Sequence, residues 1–161
     1  MNNDHIAIAM IIWLSLLLLL LFVRKTQIRK ALLALLIAQF FSWPLTMMFV
    51  YFHLQFNPVR FFPYATKSTF LMAFIFHPAV FIVYYLRYPL QSPLPRRMFF
   101  SLILPGFAVC AQGLAGQYTN LIYLPNPWVL VVLFLILTIL YQVLRKYVDW
   151  FFKKMSDPLE R

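Results

Sequence analysis

The chain is 161 residues long, 63% of them apolar or aromatic and 11% charged, with a mean hydropathy of +0.80. That composition leaves too little polar surface to solvate a globule, which excludes a water-soluble domain and predicts an integral membrane protein. Fourteen Lys and Arg against four Asp and Glu give a net charge of +10. In a membrane chain this excess is first a topology signal, so nucleic acid is not an expected partner.

A bilayer span takes roughly 20 apolar residues, and five spans would consume about 100 of the chain, leaving no room for a soluble domain. The first apolar run covers about 6–23 and stops at Arg24 and Lys25. No basic leader precedes it and no small-residue cleavage site follows, so it reads as an anchor and not a cleaved signal. The second run covers about 31–52, the third 69–86, the fourth 98–116 and the fifth 128–144. Helix is the expected state of each, because backbone groups in lipid must be satisfied within the segment and no period-2 barrel pattern is present. The predicted fold is therefore an all-α polytopic bundle of five transmembrane helices, followed by a basic tail over 145–161.

Pro105, Gly106, Gln112, Gly113 and Gly116 weaken the fourth run, and charge parity restores it. With five spans, twelve of the fourteen basic residues fall on one side and two, Arg60 and Lys67, on the other. The positive-inside rule then predicts an outside amino terminus and a cytoplasmic carboxyl terminus. Tyr118, Tyr123 and Trp128 would mark the outer boundary; Tyr84, Tyr85, Tyr88, Tyr147 and Trp150 would mark the inner one. The tail from Arg145 to Lys154 mixes cations with aromatics and either continues the fifth helix or lies along the inner leaflet. Anionic lipid at that face is an expected contact, worth about 1 kcal/mol per cation near the surface.

Small residues mark helix contacts in lipid better than hydrophobic ones do. Ala31, Ala34, Ala38, Ser42 and Thr46 recur at helical spacing in the second span, and Gly106, Cys110 and Gly113 with Ala108, Ala111 and Ala115 in the fourth. These two spans are the expected centre of the bundle. The first and fifth, rich in Leu, Val and Ile, are expected to face lipid. Pro44, Pro78 and Pro105 each remove a backbone bond from one inner span, which either opens a cavity or serves static packing.

Gln39, His77 and Gln112 are the candidate intramembrane polar contacts. Counted inward from the outer ends, His77 lies about 12 Å deep and Gln112 about 6 Å at a rise of about 1.5 Å per residue, near enough to be partners. An intramembrane histidine is either a proton-responsive or ligand-contacting group or a neutral bridge between helices. Arg60 and Lys67, set among Phe61, Phe62 and Tyr64 in the segment between spans two and three, are candidate headgroup contacts. Alternatively Thr66 or Ser68 caps the third helix while the cations snorkel.

Between Asp4 and Asp149 there is no Asp or Glu, which removes mechanisms that need an intramembrane carboxylate. No nucleophile elbow, zinc-protease motif or phosphate loop occurs. Within the spans there is one His and one Cys, too few for a metal site in a single chain, and Cys110 alone excludes an internal disulfide. No catalytic residue, cofactor or metal is expected, and the protein reads as non-enzymatic. It would act through contacts, as a structural or accessory subunit or a small homo-oligomer. The alternatives are a small solute or ion carrier or channel lined by spans two to four, and a lipid-binding or lipid-sensing protein.

The run Phe62-Pro63-Tyr64-Ala65-Thr66, followed by Phe70, Phe74, His77-Pro78, Tyr84-Tyr85 and Pro89, resembles a family of small, uncharacterised multi-pass membrane proteins of spore-forming Gram-positive bacteria. The resemblance covers most of the chain, from the second span to the fifth. It implies a bacterial plasma-membrane protein and brings no activity, substrate or catalytic residue with it.

Overall fold

The computed structural model describes residues 2–58 and 70–156, and its architecture there is all helical. Helix α1 is Asn2–Phe22. A single 3-10 turn, Lys25–Gln27, leads into α2, Ile28–Tyr51. A widened π turn, Met72–Phe76, runs without a break into α3, His77–Arg87. Helix α4 is Leu94–Tyr118 and α5 is Trp128–Ser156. Four of these, α1, α2, α4 and α5, are long and apolar enough to cross a membrane. The third predicted span is a shorter apolar helix over Met72–Arg87. The expected count of five spans thus rests on this third unit, whose continuous helix over 70–87 amounts to about 27 Å at the α-helical rise.

Contacts at the helix ends fix how the elements run. At one end the Asp4 carboxylate accepts the Asn120 backbone N–H at 2.9 Å. At the same end Phe56 and Tyr123 exchange two backbone hydrogen bonds, at 2.9 and 2.7 Å, and so join the segment after α2 to the one after α4. At the other end the Arg87 guanidinium donates to the Phe22 carbonyl at 3.3 Å. There too Lys30 stands over the Phe152 ring, and Arg145 over the Tyr88 ring at 4.0 Å. Successive helices therefore alternate in direction.

The centre of the bundle differs from the sequence expectation. Helix α3, with its π turn, packs against all four other helices, and every residue from His77 to Tyr84 is buried. Large side chains, Phe76, Phe81, Ile82 and Tyr84, fill it. Burial in lipid needs only close packing, and bulky rings that interlock achieve it as well as small residues do. The α2 stripe of Ala31, Ala34, Ala38 and Ser42 is buried as its spacing predicts. In α4 the buried face is Ser101, Pro105, Ala108, Val109 and Gln112, while Cys110 is exposed. Gly106 and Gly113 instead let Phe134 and Leu130 of α5 approach. Helix α5 buries a regular seam, Val129, Leu133, Leu137, Tyr141, Leu144 and Val148, so only its opposite face meets lipid. Tyr84, expected in the inner aromatic belt, is a core residue at 0% exposure.

Helix α5 continues through Arg145 to Ser156, which resolves the two readings of the basic tail in favour of the helix as far as it is described. Its 29 residues span about 44 Å, longer than the roughly 30 Å hydrocarbon core, so its last turns project past the apolar layer.

The end of α2 is closed by the chain itself. The N–H groups of His53 and Leu54 return to Val50 and Phe49 at 3.1 and 2.9 Å, with His53 at φ 56°. This is a Schellman closure with histidine where glycine is usual, and its ring stacks on Phe56.

Candidate functional site

Pro78 organises the intramembrane polar groups. Lacking an N–H, it cannot return a hydrogen bond to the Phe74 carbonyl, and its ring crowds that carbonyl. The helix answers by widening, with the His77 N–H reaching back to the Met72 carbonyl, a five-residue step that defines a π bulge. The freed Phe74 carbonyl accepts a hydrogen bond from Gln39 Nε2 of α2 at 2.9 Å. Tyr141 of α5 donates to the His77 carbonyl at 3.2 Å. The proline thus recruits α2 through the carbonyl it frees, and α5 meets the same turn through Tyr141.

The predicted pairing of His77 with Gln112 is present. His77 Nε2 lies 3.1 Å from Gln112 Oε1. Gln112 Nε2 donates to Gln55 Oε1 at 3.0 Å, and Gln55 Nε2 donates to Asn57 Oδ1 at 2.8 Å. In this arrangement Gln112 presents its amide oxygen, an acceptor, to the ring, which matches the His77 tautomer with the proton on Nε2. The chain of donors runs from α3 through α4 to the segment after α2, and all four side chains are buried. Nδ1 of His77 is buried with no partner. Beside the network lies a cavity of about 20 Å³ lined by Ser42, Thr46, Gln55, His77 and Gln112 among others. That volume holds one water molecule and little more.

Gln39 does not join this network; it serves the Phe74 carbonyl. Arg60 and Lys67, and the Phe62 to Thr66 pattern, lie outside the described residues. Gln55 and Asn57 were not anticipated, since they sit beyond the last apolar residue of the second run. No local pattern in the sequence points to them, because the partner of Gln55 on α4 is 57 residues away.

A second polar cluster stands at the opposite, basic end. Gln142 Nε2 donates to Ser101 Oγ, which in turn donates to the Arg97 carbonyl at 2.8 Å and lies 3.3 Å from the Tyr88 hydroxyl. Arg145 Nη2 donates to Gln142 Oε1 at 3.4 Å, and its Nη1 faces Asp149 at 3.7 Å. Arg145 is only 8% exposed, an unusual depth for a guanidinium. Burial alone would raise the pKa of Tyr88, but hydrogen bonds from Ser101, Gln142 and Arg97 and the positive charge of Arg145 outweigh it and hold the phenol below its usual value.

Apolar side chains cover the outer faces of the helices, including Trp13 at 70%, Leu20 at 81% and Phe40 at 73% exposure. With four helices of spanning length, such surfaces define a helical integral membrane protein. Comparison with protein-family models, with curated proteins and with solved structures finds no match.

Proposed function

We propose that the chain is a five-span, non-enzymatic protein of the bacterial plasma membrane that works through contacts, as an accessory subunit or a small homo-oligomer. The single observation that carries this reading is that Gln39, His77 and Gln112 are spent on holding helices together. A carrier needs groups free to exchange partners with a solute, and the cavity beside this network has room for about one water. The alternating helix directions support five crossings. Every described Lys and Arg stands at the end where α1 finishes and α5 projects, which supports a cytoplasmic location for that end and an outside amino terminus.

The small-residue stripe of α2 is consumed inside the protomer, so contacts with other chains fall to the exposed apolar faces of α1, α2, α4 and α5. Purification of the tagged protein from its native membrane in mild detergent, with mass spectrometry of what accompanies it, tests the reading. A stoichiometric partner or a defined oligomer is the expected result. A protein that arrives as a lone monomer would overturn it and bring transport forward.

A further inference from the structure

The cluster at the basic end is unbalanced in its hydrogen-bond inventory. Its donors are the guanidinium groups of Arg97 and Arg145, the hydroxyls of Tyr84, Tyr88 and Ser101, and the Gln142 amide. Among the described residues its charged acceptor is Asp149, on one edge of Arg145 at 3.7 Å. The imbalance is visible atom by atom: among the described residues, the buried Arg97 Nε and Arg145 Nε find no hydrogen-bond partner. A buried donor without an acceptor is costly, and a buried cationic donor more so. The side chain of Arg145 is 9% exposed, so bulk water does not make good the deficit.

What such a cluster lacks is an acceptor-only group with several oxygens and negative charge. A phosphate matches guanidinium geometry and takes several donors at once. The depth is also right for one. Arg145 stacks on Tyr88 just beyond the end of α3, where the apolar part of the helix stops and headgroups begin. Tyr88 and Arg97 are half-buried, so the cluster opens outward at those two residues. Against the raising effect of burial, hydrogen bonds from Ser101, Gln142 and Arg97, with a smaller contribution from the charge of Arg145, hold the Tyr88 phenol below its usual value, as a cluster rich in donors would.

We propose that Arg97 and Arg145, with Tyr88, Ser101 and Gln142, form a binding site for a phosphate group at the basic end of the bundle. The phosphate is that of an anionic lipid headgroup or a free phosphate, and the chemistry at the site is the same. The site rests on the five-span reading only in placing this end at headgroup depth, and not on which leaflet it faces.

The test uses the full-length protein in non-ionic detergent, where topology plays no part, so its failure is separate from any failure of the span count. Native mass spectrometry would score retention of added phosphatidic acid, phosphatidylglycerol and phosphate-free diacylglycerol. The expected result is retention of the two phospholipids about tenfold above diacylglycerol, falling by about tenfold in Arg97→Gln and little in Arg24→Gln. Arg97 is the informative position, because Arg145→Gln removes a buried side chain and can fail to fold. Displacement of the lipid by millimolar inorganic phosphate would assign the site to phosphate as such; persistence would assign it to the headgroup of a lipid. Equal retention of diacylglycerol, or equal losses in Arg97→Gln and Arg24→Gln, would overturn the proposal.

Discussion

Replacing Gln112 by leucine keeps the volume of the side chain and removes both of its hydrogen bonds, to His77 at 3.1 Å and to Gln55 at 3.0 Å. Two buried polar groups are then stranded, since His77 is 6% and Gln55 3% exposed. In water-soluble cores each stranded group costs about 1–3 kcal/mol. Within bilayers interhelical hydrogen bonds measure lower, averaging about 0.6 and reaching about 1.7 kcal/mol, because the unfolded chain in the membrane finds partners too. Taking the membrane range for two bonds gives a destabilisation of about 1–3 kcal/mol. The assay is reversible unfolding in mixed micelles followed by tryptophan fluorescence, run on Gln112→Leu, His77→Leu and the double variant. Leucine at both positions removes donor and acceptor together, so the double variant should be less destabilised than the sum of the singles, by about 0.6–1.7 kcal/mol. Additivity to within about 0.3 kcal/mol would refute the claim that these two side chains are coupled across α3 and α4.

The glycines of α4 give a contrast of sign. A methyl at Gly106 would sit 3.6 Å from the Phe134 ring, whereas at Gly116 it would meet the Ile122 carbonyl oxygen at 3.3 Å; Gly106→Ala should therefore stabilise by up to about 1 kcal/mol and Gly116→Ala should not, as read by thermal unfolding in detergent. His53→Gly relieves a left-handed residue at the end of α2 and is expected to stabilise by about 1 kcal/mol in the same assay, less whatever the stacking on Phe56 contributes. Ala34→Leu and Ala38→Leu insert side chains where exposure is 0% and 1%. They should cost about 1–3 kcal/mol or more through overpacking and lower the yield of folded protein, and a folded variant that only changed its oligomeric state would contradict the placement of this stripe.

The sequence was most legible where one helix face is built of one kind of residue. The Ala31, Ala34, Ala38 and Ser42 stripe reads directly from its spacing, and the depth of His77 and Gln112 suffices to pair them. The central place of α3 was not legible, because lipid and protein interior are equally apolar and hydropathy does not separate a lipid-facing Phe from a buried one. Phe81 at 0% and Phe40 at 73% exposure look alike in the sequence. The buried face of α4 was misplaced by about one residue step around the helix because glycines mark where a neighbour's side chain enters, here Phe134 and Leu130, and not where the core lies. Gln55 and Asn57 were unreadable for a third reason: long-range hydrogen bonds bring a post-helical segment back over the bundle, and no local pattern announces them. Arg145 reads from sequence as a stop-transfer cation, while its burial under Tyr88 depends on how α3 and α5 meet.

The five-span topology underlies both the assignment of the basic end to the cytoplasm and the contact reading, and it turns on whether α3 and α4 both cross. Single cysteines at Gln91, between α3 and α4, and at Asn126, between α4 and α5, are both at exposed positions and would be placed in a Cys110→Ala background. A membrane-impermeant maleimide applied to intact cells should label position 126 and leave position 91 unlabelled until the membrane is permeabilised. Labelling of both positions from the same side would mean that α4 does not cross, and the five-span topology would be wrong.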